Sequence, residues 1–178
     1  MKILTLLRHA KSDWDDLVQR DFDRPLNGRG RRAARTIGRE MKRLALSFDA
    51  AFASPAVRVR ETLAEVESAF GPISPGFDQR IYLASPDTLL DIVREAPEGA
   101  SSLLLIGHNP GLELLALALA ERSDTPLRDA VELKYPTATL AELHLPVERW
   151  SDVSPGRARL ARFIRPRDLD PALGPDSN

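Results

Sequence analysis

Two histidines stand at the ends of short apolar runs in this 178-residue chain. His9 follows the run Ile3–Leu7 and Arg8, and His108 follows the run 103–106 and a glycine. Runs of this length are typical of buried strands, and the ligands of open α/β sheets collect at the carboxyl ends of strands. We therefore expect the two imidazoles to converge, although they lie far apart in the sequence. Arg8 indicates an anionic ligand, so the pattern favours phosphate chemistry on histidine.

A second arginine, Arg58, lies in the segment Ser54–Thr62, which begins with a turn and continues as a predicted helix. Arginine suits a phosphoryl group because its planar fork donates to two oxygens and stays charged. A neutral imidazole can attack phosphorus in line, and a protonated one can donate to an equatorial oxygen. Because arginines and an imidazolium supply the positive charge for such a transfer, we expect no metal and no other cofactor.

Three more polar residues near these motifs are candidates for binding the substrate, namely Lys11, Asn27 and Asn109. Lys11 and Arg24 either extend the pocket or are ordinary surface charges. Asn27 also suits the N-cap of the next predicted helix. The third histidine, His144, lies on a candidate strand without a motif, which favours a structural role. The three histidines do not have the spacing of metal ligands.

Strands and helices alternate along the chain. We predict strands at 2–8, 49–53 and 102–106, a brief strand at 81–83, and helices at 28–46, 55–70, 86–96 and 110–121. Two further apolar segments, 137–145 and 159–164, predict an antiparallel C-terminal hairpin. This order predicts an α/β fold with a mostly parallel sheet covered by helices on both faces. We expect residues 1–165 to form one domain and the tail 166–178 to be mobile or draped on the surface.

The composition limits the partners of the protein. A formal net charge of −1 offers no general attraction to nucleic acid or to an anionic membrane, so we expect neither as a partner. The chain has no cysteine, which suits a reducing compartment. The apolar run near Met1 is too short for a signal peptide, and no segment approaches the ~20 apolar residues of a membrane span. These features favour the cytoplasm.

Three motifs together resemble a known family: Arg8-His9-Ala10-Lys11-Ser12, Arg24-Pro25-Leu26-Asn27 and Gly107-His108-Asn109-Pro110. They are similar to motifs of the histidine phosphatase superfamily, which includes the cofactor-dependent phosphoglycerate mutases, and most of all to the SixA-type phosphohistidine phosphatases. The resemblance implies a three-layer α/β/α fold of the phosphoglycerate mutase type. It also implies that His9 is the nucleophile and that Arg8, Arg58 and His108 form the phosphate pocket.

The chain departs from the family pattern in ways that bear on the substrate. Ala10 replaces the usual glycine, and Asp15 stands where the mutases have an asparagine. The glutamate general acid of many relatives has no recognisable counterpart, and only Asp78 and Asp87 are candidates to replace it. An alkoxide leaving group needs a proton donor, whereas the imidazole of a phosphohistidine needs less help. The missing acid therefore favours a phosphoramidate substrate.

The leading hypothesis is a metal-independent phosphatase that works through phosphorylated His9 and removes phosphate from phosphohistidine in proteins. Its partners would be a phosphorylated protein, such as a histidine phosphotransfer protein, and inorganic phosphate. Two alternatives use the same residues: a phosphomonoesterase with broad specificity for small molecules, and a phosphate-binding module without catalysis. The sequence does not indicate the oligomeric state.

Overall fold

The computed structural model describes residues 1–15, 19–123 and 125–175. Its strands are β1 (Lys2–Arg8), β2 (Ala50–Ala53), β3 (Gly76–Phe77), β4 (Ser102–Gly107), β5 (Leu140–Leu145) and β6 (Arg159–Ile164). Its α-helices are α1 (Gly28–Arg43), α2 (Val57–Phe70), α3 (Pro86–Arg94), α4 (Gly111–Leu119), α5 (Pro126–Leu133) and α6 (Pro166–Leu169). None of the helices in these ranges is long and apolar enough to cross a membrane.

The six strands form one sheet in the order β3-β2-β4-β1-β5-β6. β1 to β4 are mutually parallel, whereas β5 pairs antiparallel with both β1 and β6. The predicted mostly parallel sheet and the C-terminal antiparallel hairpin are therefore confirmed. β1 and β4 are central and buried on both faces, because continuous apolar runs such as Leu103–Ile106 carry leucine and isoleucine towards each layer.

Helices cover both faces of the sheet. α1 and α2 pack with one set of strand side chains, which includes Leu7, Leu104 and Ile106. α3, α4 and α5 pack with the opposite set, which includes Leu6 and Leu105. This arrangement confirms the three-layer α/β/α architecture, and alternate residues of each strand supply the two cores.

The loop that follows β1 is held against the start of α1. Ser12 forms an isolated antiparallel bridge with Leu26, and the Asn27 N–H donates to the Lys11 carbonyl over 3.1 Å. A Cβ atom at Gly30 would lie 2.0 Å from the same carbonyl oxygen, so this close approach requires glycine. The contacts bring residues 24–27 next to the carboxyl end of β1.

Several boundaries differ from the sequence prediction. The short strand near residue 80 is β3 at Gly76–Phe77, and the expected strand at 81–83 is replaced by a 3-10 turn at Gln79–Ile81. α5 was not predicted, because its eight residues carry only a short amphipathic pattern. α2 begins at Val57, so the turn at Pro55 precedes the helix.

The segment after β6 lies on the first helix. α6 is followed by a 3-10 turn at Pro171–Leu173, and Asp170 forms an ion pair with Arg32 of α1. An Arg29 guanidinium N–H donates to the Gly174 carbonyl. Residues 166–175 are therefore draped on the domain, and residues 176–178 lie outside the described residues.

Candidate active site

The register of the two central strands places the two histidines side by side. β1 and β4 are parallel, with Arg8 opposite Gly107, so His9 and His108 follow at the same edge of the sheet. The His9 N–H also donates to the Gly107 carbonyl over 3.1 Å. The ring centroids of the two imidazoles lie 5.2 Å apart with an interplanar angle of 53°. The predicted convergence is thus confirmed.

The His9 ring is oriented by a single backbone carbonyl. Its Nδ1 lies 2.7 Å from the Ala10 oxygen, and because a carbonyl can only accept, Nδ1 carries the proton. Burial lowers the pKa of His9 well below its ordinary value, despite the opposing hydrogen bond to Ala10, and the charges of Arg58 and Arg8 lower it further. A neutral ring with a proton on Nδ1 keeps the lone pair of Nε2 for attack.

The backbone beside His9 is tied to α2 through one threonine. The Ala10 N–H donates to Thr62 Oγ1 over 2.9 Å, and the Thr62 hydroxyl donates to the Arg58 carbonyl over 2.7 Å. Ala10 is completely buried in this contact. Thr62 therefore links the loop that carries His9 to the helical turn that carries Arg58.

Arg58 is only 2% exposed and reaches both His108 and the loop before α1. Its Nη2 donates to His108 Nδ1 over 3.2 Å and to Asp21 Oδ2 over 3.1 Å, while Nη1 donates to the Asp21 carbonyl over 2.7 Å. These contacts fix the guanidinium at the carboxyl edge of the sheet.

Arg8 and Asn109 share one carbonyl on the far side of the pocket. Arg8 Nη1 donates to the backbone carbonyl oxygen of Tyr135 over 2.8 Å, and Asn109 Nδ2 donates to the same oxygen over 3.0 Å. The Asn109 carboxamide oxygen also accepts the N–H of Glu113 in the first turn of α4. Tyr135 is buried, and its hydroxyl donates to the Leu6 carbonyl, which anchors this wall to β1.

The surroundings of His108 favour its neutral form. Burial and the adjacent Arg58 cation lower the pKa of His108 to about 3. Because the Arg58 N–H points at Nδ1, this nitrogen accepts, and Nε2–H donates to Ser54 Oγ over 2.8 Å. The sequence showed where His108 lies but not its charge, which depends on burial and on a neighbour from α2.

Asp21 joins the pocket arginines, although sequence reasoning did not select it. Its Oδ1 accepts from Arg24 Nη2 over 2.9 Å, and Oδ2 accepts from Arg58 and from the Tyr82 hydroxyl. Burial opposes ionisation, but the hydrogen bonds from Tyr82, Arg24 and Arg58 hold the pKa of Asp21 far below its usual range. One local signal was available: Asp21 stands three residues before Arg24, the first residue of the motif Arg24-Pro25-Leu26-Asn27.

The pocket is a cavity of about 530 Å³. The predicted site residues that line it are Arg8, His9, Lys11, Arg58, His108 and Asn109. The C-terminal segment forms another part of the wall, through residues 165–167 and 173–175, which sequence reasoning did not include.

The remaining candidates lie elsewhere. Asn27 is not among the lining residues; its side chain accepts the Gly30 N–H as the N-cap of α1, so its role is helix capping. The general-acid candidates also lie outside the lining: Asp78 pairs with Arg80, and Asp87 is exposed in the first turn of α3. Asp15 is exposed as well.

The third histidine lies outside the cavity. His144 lies on β5, where its Nε2 is 2.8 Å from Glu142 Oε1, and it does not line the cavity. Within residues 1–15, 19–123 and 125–175, no group of three His, Cys, Asp or Glu side chains is arranged to hold a metal ion.

Comparison with known proteins assigns the family. The sequence profile of the histidine phosphatase superfamily (branch 1) matches residues 4–81, which contain Arg8, His9 and Arg58. The chain is also 35% identical over 164 residues to the uncharacterized protein Rv1276c of Mycobacterium tuberculosis, a match that covers 90% of this chain and 100% of that protein. This chain belongs to the histidine phosphatase superfamily.

Solved structures extend this result. One similar crystal structure is that of an Agrobacterium tumefaciens protein, which is proposed to be the phosphohistidine phosphatase SixA. It matches this chain with a TM-score of 0.77 and 29% sequence identity, and the match covers 92% of this chain and 97% of that one. Mycobacterial glucosyl-3-phosphoglycerate phosphatase has the same fold, with a TM-score of 0.62, 16% identity and coverage of 90% and 97%. The family and the SixA-like neighbour support a phosphatase, a hydrolase, as the class of enzyme.

The low pKa of His108 predicts how the stability of this histidine phosphatase depends on pH. His108 has a pKa of about 3 in the folded state and ~6.5 when unfolded, so the unfolded chain binds the proton first on acidification. The contribution of neutral His108 to the free energy of unfolding is fully present above pH ~6.5. It is lost as the pH falls towards 3, by ~1.4 kcal/mol per pH unit. We expect the free energy of unfolding in urea to show this decline between pH 6 and 4 in wild type and a shallower one in His108→Gln. Parallel pH profiles would contradict a neutral His108.

Proposed function

We propose that this protein is a metal-independent phosphatase that removes the phosphoryl group from phosphohistidine in proteins, with His9 as the nucleophile. One observation carries the proposal: the Nδ1–H of His9 donates to the Ala10 carbonyl and leaves Nε2 able to attack. The likeness to a SixA-type structure supports the substrate class. Two buried or half-buried guanidinium groups, Arg8 and Arg58, line the same cavity and can hold phosphoryl oxygens.

The reaction has two displacements. First, His9 Nε2 attacks phosphorus, and the bond from phosphorus to the substrate imidazole breaks, with its electron pair returning to that ring. The substrate ring carries a proton on its other nitrogen and leaves as neutral imidazole, while phosphorylated His9 keeps its Nδ1 proton and is positively charged. Next, a water oxygen attacks the phosphorus on His9 and the P–Nε2 bond breaks, with its electron pair returning to Nε2. The water protons remain with inorganic phosphate and solvent, and neutral His9 is restored.

The second histidine acts on the charge of the phosphoryl group. A bound dianion raises the pKa of a nearby imidazole, because an opposite charge favours the protonated form. With a phosphoryl group bound, His108 therefore gains proton affinity and donates to an equatorial oxygen. The same group is neutral again after phosphate leaves.

Among the described residues, the cavity lining offers no protonated carboxylic acid, which favours an imidazole leaving group. Among the described residues that line the cavity, Asp21 is the only carboxylic acid, and its ion pairs keep it ionised at neutral pH. An ionised carboxylate cannot protonate an alkoxide. Positioned general acids contribute about 10²–10⁴-fold to such steps, so esters of poor leaving groups lose that factor here.

A second candidate function, a small-molecule phosphomonoesterase, has one observation in its favour. Residues 173–175 close part of the cavity, and a volume of about 530 Å³ is that of a pocket for a small ligand. A wall of this kind restricts a protein surface more than it restricts a metabolite. The third possibility, phosphate binding without catalysis, uses the same arginines.

A comparison of substrates tests the proposal. Phosphate release by wild type would be measured in EDTA from a phosphohistidine protein and from phosphoserine, an alkyl ester. We expect kcat/KM to be at least about 10²-fold higher for phosphohistidine. A preference for the ester would favour the small-molecule enzyme. Phosphate binding without release from either substrate would favour the binding module, and activity that EDTA removes would contradict a metal-independent reaction.

A further inference from the structure

Arg24 is a buried arginine in the cavity wall that the chemistry above does not use. It is 7% exposed, and its Nη2 donates to Asp21 Oδ1 over 2.9 Å. Its guanidinium lies over the Trp14 ring, with Cζ 3.6 Å from the ring centroid. Its Nε and Nη1 are also buried, and neither has a hydrogen-bond partner among the described residues.

Two unpaired nitrogens on a buried cation need an explanation. A guanidinium has five N–H donors, and a buried donor without an acceptor is costly, more so when the group is charged. Native proteins leave few such groups, and a functional role or the binding of an ion is one explanation for those that remain. Because Arg24 and the catalytic candidates Arg8 and Arg58 line one cavity, an oxyanion in that cavity can supply the missing acceptors.

The surroundings of Arg24 hold it ready for an anion. Trp14 holds the guanidinium in a cation–π contact that leaves its N–H groups as donors. Asp21 bridges the arginines, since one carboxylate oxygen accepts from Arg24 and the other from Arg58. The carboxylate thus gathers two cations at one place, as an incoming phosphoryl group also would.

We propose that Arg24 is a third guanidinium of the phosphoryl pocket, whose Nε–H and Nη1–H donate to oxygens of the bound phosphoryl group, and that Asp21 is an internal carboxylate that competes with this anion for Arg24 and Arg58. The inference rests on the proposed phosphoryl chemistry of the pocket and adds a residue to it. It predicts opposite effects for the two partners of one ion pair. Loss of Arg24 removes donors, whereas loss of the Asp21 charge removes a competitor.

Binding of inorganic phosphate tests the role of Arg24 without any turnover. Isothermal titration calorimetry at low salt would compare wild type with Arg24→Gln, Arg24→Lys and Asp21→Asn. We expect Arg24→Gln to raise the Kd by about 10- to 100-fold, because a charge-assisted contact is lost. Arg24→Lys keeps the charge but loses the planar fork of N–H donors, so its Kd should lie between those of wild type and Arg24→Gln. Asp21→Asn should lower the Kd by at least about 3-fold.

The chain offers a matched control in Arg20. This arginine forms an ion pair with Asp23 at the same three-residue spacing as Arg24 and Asp21, but 80% of its side chain is exposed. We expect Arg20→Gln to leave the Kd within about 2-fold of wild type. Thermal unfolding of each variant would show that it is folded.

The outcomes separate this inference from the proposed function. Equal phosphate affinity in wild type and Arg24→Gln, or weaker binding in both Arg24→Gln and Asp21→Asn, would overturn the role of Arg24, because a purely structural ion pair fails in the same direction from either side. No detectable phosphate binding by wild type would also overturn it. Arg24-dependent binding in a protein that forms no phosphoenzyme would keep Arg24 in the pocket and overturn the phosphatase.

Discussion

Replacing His9 with alanine is expected to lower kcat/KM for a phosphohistidine protein by at least about 10⁴-fold, because the variant has no nucleophile to accept the phosphoryl group. His9 is 7% exposed. Among the described histidines, His108 is the only other one that lines the cavity and so the only one in a position to replace His9 in the attack. The Nδ1 of the His108 ring accepts from Arg58 and its Nε2 carries the proton that faces Ser54, so neither nitrogen has a free lone pair for attack.

The measurement is phosphate release together with trapping of an acid-labile, base-stable phosphoenzyme. Wild type should yield the phosphoenzyme and His9→Ala should not. His144→Ala is the matched control, because His144 lies on β5 outside the cavity, and it should keep both turnover and the phosphoenzyme. Turnover near the wild-type rate in His9→Ala would rule out the covalent mechanism.

Replacing Arg58 with alanine is expected to lower kcat/KM by about 10²–10³-fold, with most of the loss in kcat. Preorganised donors act on charge that develops in the transition state, and removal of one such donor typically costs this factor. Arg58 is almost fully buried and already fixed by Asp21 and His108, so it needs little reorganisation when the phosphoryl group transfers.

Steady-state kinetics of three variants would check this effect. Arg58→Lys should recover only part of the rate, because a single ammonium cannot reproduce the planar fork. Arg60→Ala is the control: Arg60 lies two residues further along α2, is exposed, and stacks on Phe77. A wild-type kcat/KM in Arg58→Ala would remove this arginine from the phosphoryl pocket.

Much of the candidate site was predictable because its signals are local. His9 and His108 each stand directly after an apolar run, and runs of that kind form central strands whose carboxyl ends meet at one edge. Arg8 was recognisable because a guanidinium next to such a histidine suits phosphate, whereas the family resemblance implied the place of Arg58 in the pocket. The helix cap at Asn27 was also local, since its side chain accepts a hydrogen bond from the backbone N–H of Gly30, three residues later.

Other features escaped prediction because they depend on contacts between distant segments. Asp21 is ordinary in sequence, and its importance comes from Arg58, which lies 37 residues away and meets it only in the folded chain. The 3-10 turn near residue 80 replaced a predicted strand because only Gly76 and Phe77 reach the edge of β2. The C-terminal tail became part of the cavity because it packs on α1.

The sequence by itself determined the fold class and the chemical groups of this histidine phosphatase, because strand periodicity and the residues at strand ends are properties of short segments. Only the tertiary structure decided the charge of His108 and the position of Asp21 between two arginines. The physical reason is that protonation and hydrogen bonding depend on burial and on neighbours from other elements, which a linear pattern does not contain.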